Sequence, residues 1–157
     1  MRRTPQEQHR ETLSEEISHI ENETRMALPG IQALFGFQLV AVFNDRFATA
    51  LTYNLQLLHW GAISCSALAT IFMVAPAAYH RMAEPHILSK RFTHLSNRWI
   101  IFALIPMILG CVIDFFLIGT IITKDLYMAG AISAALLLIF ITVWFVCPLY
   151  YRKKGPG

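Results

Sequence analysis

The sequence predicts an all-α membrane protein with four transmembrane helices running up-down-up-down, both termini cytoplasmic, preceded by a short amphipathic cytoplasmic helix. Three observations carry this. Four apolar runs, residues 26–43, 55–78, 99–122 and 127–149, take up most of the 157-residue chain, and each matches the length of about 20 helical residues that crosses a bilayer core. Hydrophobic residues make up 55% of the chain and charged residues 15%, whereas about a quarter of an ordinary soluble domain is charged. No strand-like alternation runs through the apolar stretches. A segment in lipid has to satisfy its own backbone polar groups, so these runs read as helices.

Residues 1–25 are expected to be a cytoplasmic segment. Within it Thr12 and Glu15 have the spacing of a capping box, and Leu13, Ile17, Ile20 and Thr24 make a narrow helical stripe. Glu21 and Arg25 stand at i and i+4 with the acid first, the favourable order for a surface pair. Pro29-Gly30 at the start of the first span predicts a break or kink, because proline removes a helical hydrogen bond and glycine adds freedom.

Residues 26–151 hold the four spans, and 152–157 a basic tail. The connection after Asn44 is short, and that between spans three and four is little more than Thr123-Lys124-Asp125. Short connections make consecutive helices antiparallel neighbours. Phe47, Tyr53 and Tyr127 read as anchors of one interface, and Tyr79, Trp99, Tyr150 and Tyr151 of the other. In the second span His59, Ala62, Ser66, Thr70, Ala77 and His80 fall roughly on one face, and small residues let helix backbones approach closely in lipid. Pro106, Gly110 and Asp114 share an i, i+4, i+8 line in the third span.

Charge sets the expected sidedness. The N-terminal segment carries Arg2, Arg3, Arg10 and Arg25; the 79–98 loop carries Arg81, Lys90, Arg91 and Arg98; the tail carries Arg152, Lys153 and Lys154. The opposite side has Arg46 and Lys124. Lysine and arginine favour the cytoplasmic side, which places both termini there. This accounts for the formal charge of +3 without a nucleic-acid partner; the expected surroundings are the lipid bilayer. The polar, acidic stretch 7–23 stands where a signal peptide would need its apolar region, so the first span is expected to be retained. Cys65, Cys111 and Cys147 lie inside apolar runs without paired spacing and read as buried, inert thiols.

Asp114 is the one acidic residue inside these four runs, about 12 Å from the end of its helix at the usual helical rise. An acidic residue at a span centre costs about 2.5 to 3.5 kcal/mol on insertion scales, so Asp114 has to face protein or water, or stay protonated. Counting rise per residue puts Gln38, His59, Ser64 and Ser133 in the same half of the bilayer. His59 is the nearest expected partner, since spans two and three are antiparallel neighbours. Two readings stay open: a proton or cation site, and an interhelical hydrogen bond that orients the bundle.

His80, His86 and His94 invite a metal reading. Pro85 interrupts the helical pairing of His80 with His86 and the spacing fits no compact zinc pattern, so solvated loop residues are the expectation, with metal binding undecided. No phosphate-binding glycine loop, serine elbow or zincin pattern is present, so neither an enzyme nor a cofactor is expected.

The stretch Ala27-Leu28-Pro29-Gly30-Ile31-Gln32-Ala33-Leu34-Phe35, with Arg46-Phe47, Pro76-Ala77-Ala78-Tyr79-His80-Arg81 and Asn97-Arg98, resembles an uncharacterised bacterial family of small four-span proteins over nearly the whole chain. Some of its members carry an automatic sodium:proton antiporter name. The resemblance implies a bacterial inner-membrane protein. A fainter one relates Gly36-Phe37-Gln38-Leu39-Val40-Ala41-Val42 to the pore helix of Orai-type calcium channels, with Asn44-Asp45 near that family's acidic ring and Asp114 where it has an acid in span three.

These readings make the leading expectation a small homo-oligomeric channel or ion-translocating protein for cations or protons. In it Gln32, Gly36, Val40 and Phe43 line a path between subunits, Asp45 draws cations to the mouth, and Asp114 with His59 and Gln38 supports or gates it. The rival expectation is a non-transporting scaffold or regulatory subunit acting through the N-terminal helix and the inner loop.

Overall fold

The apolar runs become four long helices, each extending beyond its run into polar sequence. The structure, a computed structural model, describes residues 5–83 and 90–154. In chain order these form α1 Pro5–Val42, the single turn α2 Phe47–Ala50, α3 Tyr53–Ala83, α4 Lys90–Thr123, α5 Leu126–Ile141, a π turn Thr142–Val146 and α6 Cys147–Lys154. Four stretches are long and apolar enough to cross a membrane: Asn22–Val42, Tyr53–Ala83, Arg91–Thr123 and Leu126–Lys153. The chain is thus an all-α, multi-pass membrane protein, with no strand among the described residues.

The N-terminal helix and the first span are one helix of 38 residues, and Pro29-Gly30 does not break it. Thr12 therefore lies inside α1 rather than at its start. Pro29, Pro76 and Pro106 all sit inside helices. Each removes one donor and frees the carbonyl four residues earlier, which spans tolerate when surrounding groups accommodate it. The π turn immediately precedes Cys147-Pro148. One wider turn moves the carbonyl that the Pro148 ring would otherwise strike.

The chain divides into two compact units, Met1–Phe37 with Cys65–Met107 and Gln38–Ser64 with Ile108–Gly157. In the first, Ile31, Ala69, Met73 and Ala103 form a buried cluster against Ala27, Leu28, Phe72, Ile100 and Met107. The buried alanines let the helix backbones approach, which is how spans pack where lipid is as apolar as the core. The α3 stripe follows Ala62, Ser66, Ala69, Met73 and Pro76, while Ala77, expected on it, is exposed. Tyr79 stacks on Phe92 and meets Trp99 edge-on. His86 lies outside the described residues, so the three-histidine reading rests on His80, which packs on Phe92, and His94, which is exposed.

In the second unit α4 and α5 form a tight hairpin. A Cβ placed on Gly119 would stand 3.1 Å from Ala129 Cβ, so the helices meet closely enough that a side chain there would have to push its neighbour back by a few tenths of an ångström. Thr123 Oγ1 donates to the Gly119 carbonyl at 2.8 Å and accepts from Asp125 N at 3.2 Å. Asp125 caps α5, its Oδ1 accepting from the backbone N–H of Tyr127 at 2.8 Å and Met128 at 3.4 Å. Cys65 and Cys111 are half-buried, and Cys147, expected to be buried, is exposed on α6.

Candidate functional site

Three polar side chains meet inside the second unit, one from each of α1, α3 and α4. Gln38 is 3% exposed and His59 6%, and the Asp114 side chain is 14% exposed. Helical spacing explains the convergence. Asp114 continues the Pro106-Gly110 line, whose glycine is buried. His59 precedes buried Ala62 by three residues on the packed face of α3, and Gln38 follows buried Ile31 by two turns of α1.

Gln38 holds both of its partners. Its Nε2 donates to Asp114 Oδ2 at 2.6 Å. Its backbone carbonyl stands 3.0 Å from His59 Nε2, and a carbonyl can only accept, so Nε2 carries a hydrogen and donates. This fixes the imidazole. In the neutral ring Nδ1 is then a bare acceptor, and it faces Asp114 Oδ1 at 3.5 Å. Two bare acceptors would repel. A single proton resolves the conflict from either side, as imidazolium beside carboxylate or as neutral imidazole beside carboxylic acid, and both arrangements leave the pair without net charge. Bringing the pair from 3.5 Å to hydrogen-bond length takes a movement of about half an ångström.

The site is closed over by Phe47 of α2, whose ring lies 5.2 Å from that of His59 at 57°. Phe47, expected as an interface anchor, is half-buried against the histidine instead. The loop that carries it is pinned: Asn44 Oδ1 accepts from Arg46 N at 3.0 Å, and Gln56 Nε2 donates to the Leu51 carbonyl at 2.9 Å. Gln38 Oε1 is buried without a hydrogen-bond partner, as is Ser133 Oγ.

Of the residues picked out in the sequence, Asp114, His59 and Gln38 come together; the others do not join them. Ser64 turns back to its own helix, donating to the Trp60 carbonyl at 2.9 Å. Asp45 is exposed in the turn after α1, and Gln32 is exposed in the other unit. His59 was the partner expected for Asp114, yet Gln38 makes the shorter contact. The signals available for Gln38 were its depth and its place in the stretch that resembles a pore helix; that its backbone carbonyl would also hold His59 had no sequence mark. Among the described residues no group of three histidine, cysteine, aspartate or glutamate side chains could hold a metal ion.

The comparison with protein families decides where this arrangement belongs. The chain belongs to the family of unknown function DUF6328, which matches residues 6–148. The match covers all three site residues, the first three spans and most of the fourth. Neither the curated proteins nor the solved structures yielded a match. The comparisons thus extend neither the antiporter name nor the Orai-type likeness to this family member.

Proposed function

We propose that this chain is a small ion-translocating protein of the bacterial inner membrane whose moving ion is a proton, held at Gln38, His59 and Asp114. The carrying observation is the pinned imidazole: Gln38 accepts from Nε2, so Nδ1 and Asp114 Oδ1 share one proton between them. Ionisable residues inside spans mark ion paths and proton relays. The ligand chemistry favours a proton over a metal cation. Hard cations take about six to eight oxygen ligands, whereas the two side chains facing the single carboxylate here are an amide N–H and an imidazole nitrogen.

A homo-oligomer is supported by what the chain leaves uncovered. The most apolar stretch of the Asn22–Val42 span is 11% buried and that of Leu126–Lys153 6%. Gln32 is exposed on the first of these, and an amide facing hydrocarbon lacks partners that a second copy can supply. Gln32, Val40 and Phe43 are exposed and Gly36 half-buried, compatible with a path between subunits that has Asp45 at its mouth. Cytoplasmic termini follow from the basic residues on one side.

A scaffold role has its own observation. α1 spans Pro5–Val42 while its apolar part begins at Asn22, so about 25 Å of continuous helix projects from the membrane at the usual rise. Protein-only liposomes separate the two. Proton flux carried by the wild type, scaled with protein content, supports translocation; liposomes as tight as protein-free ones refute it.

A further inference from the structure

The two short loops of the second unit, after α2 and after α4, line one cavity of about 610 Å³, within the range of about 300 to 1,000 Å³ that small-ligand sites occupy. Its polar wall includes Thr52, Asn54, Lys124 and Asp125, and Leu55 and Ile121 form part of its apolar wall. The spans Tyr53–Ala83, Arg91–Thr123 and Leu126–Lys153 all begin or end beside it. That places the cavity where apolar span meets polar loop, the depth of lipid headgroups.

The charges are one of each sign. Lys124 and Asp125 have no ion-pair partner among the described residues, including each other. Asp125 Oδ1 is occupied in capping α5, and its second oxygen is left to accept. Lys124 is held at φ 56°, the one left-handed non-glycine among the described residues. Glycine would sit there without strain. A lysine accepts that strain and sets an ammonium on the cavity wall, with its backbone fixed by the bond from Lys124 N to the Thr120 carbonyl at 3.0 Å. A lone anion would meet the Asp125 carboxylate and a lone cation the Lys124 ammonium. A guest carrying both charges satisfies both, with neutral partners at Thr52 and Asn54 and apolar contact at Leu55 and Ile121.

We propose that this cavity binds a phosphate-ammonium zwitterion, the headgroup chemistry of ethanolamine phospholipids, with phosphate on Lys124 and ammonium on Asp125. The site stands independently of the proton reading, because none of its lining residues belongs to the Gln38, His59 and Asp114 group.

The test is native mass spectrometry of the full chain released from nanodiscs holding equal amounts of phosphatidylethanolamine and phosphatidylglycerol. Retention should favour the zwitterionic lipid about fivefold, the effect of an ion pair at the strong end of the exposed range, and fall to parity in Asp125→Asn, while Lys124→Gln, which removes the partner of the phosphate that both lipids carry, should lower the retention of both. Asparagine still caps α5, so Asp125→Asn tests the charge and not the fold, and unfolding midpoints confirm that both variants are intact. A parallel arm adds soluble phosphoethanolamine to lipid-free detergent samples. Stabilisation of the wild type there but of neither variant, without lipid preference, assigns the same chemistry to a soluble ligand. Equal or greater retention of phosphatidylglycerol overturns the zwitterion, and so does absence of both lipid preference and stabilisation. A preference that survives Asp125→Asn, or retention of both lipids unchanged in Lys124→Gln, overturns the site.

Discussion

Replacing Asp114 by asparagine separates charge from packing at the centre of the second unit. The carboxylate makes two contacts, accepting from Gln38 Nε2 at 2.6 Å and facing His59 Nδ1 at 3.5 Å. In Asp114→Asn the amide oxygen can still accept from Gln38, and the amide N–H₂ can donate to Nδ1. The hydrogen bonds survive while the exchangeable proton is lost. Side-chain hydrogen bonds between spans average about 0.6 kcal/mol, so the asparagine variant should unfold within that margin of the wild type. Asp114→Leu loses both contacts and should cost about 1.2 kcal/mol on the same scale, with more if Gln38 and His59 find no other partners. The assay is proton flux into proteoliposomes read by an internal pH dye, at matched incorporation, beside unfolding followed by tryptophan fluorescence. The expected result is wild-type stability with flux at the protein-free background in Asp114→Asn. Undiminished flux in that variant refutes the proton role, and the contacts then serve packing alone.

The remaining expectations follow from other parts of the chain. Cysteine tags at residues 5 and 155 should label from the cytoplasm and a tag at Asn54 from outside; an externally labelled tail overturns the topology. Native mass spectrometry in mild detergent should give a discrete homo-oligomer, and a monomer both there and in nanodiscs removes the path between subunits. Gly119→Leu should destabilise by about 1 to 3 kcal/mol through overpacking, because its Cβ would meet Ala129 at 3.1 Å. Gly61→Ala, where nothing lies within 4 Å, should be neutral or stabilising by up to about 1 kcal/mol; equal loss in both refutes close packing as the reason for Gly119. Asp125→Ala should lower stability by about 1 kcal/mol through the lost cap, with Asp125→Asn near wild type in the same unfolding assay.

The four helices were legible because membrane spans announce themselves by length and apolarity, and the line Pro106, Gly110 and Asp114, none of them exposed, because helical spacing is regular. The continuity of α1 was not. Pro29-Gly30 reads as a stop in water, but a span keeps its helix through proline when the freed carbonyl can be accommodated. The π turn was equally hidden, since five ordinary residues, Thr142–Val146, change pitch in front of Pro148. At the site, depth counting set Gln38, His59 and Asp114 at one level with Ser64 and Ser133; the first three meet, whereas Ser64 turns to its own helix. Depth fixes a level along the helix, whereas partnership also depends on the rotation of each helix, which sequence leaves free. The loop cavity was illegible for a related reason: Thr52 and Lys124 are far apart in sequence and meet only through the antiparallel return of the helices.

The most direct measurement is the nitrogen state of His59 in lipid, read by solid-state NMR of protein labelled at its histidine ring nitrogens, with His59→Gln assigning the signal. The account predicts a proton on Nε2, donated to the Gln38 carbonyl, with the Nδ1 signal altered in Asp114→Asn. A bare Nε2 with the proton resting on Nδ1 would contradict it, because the ring would then not donate to the Gln38 carbonyl and no proton need be shared with Asp114.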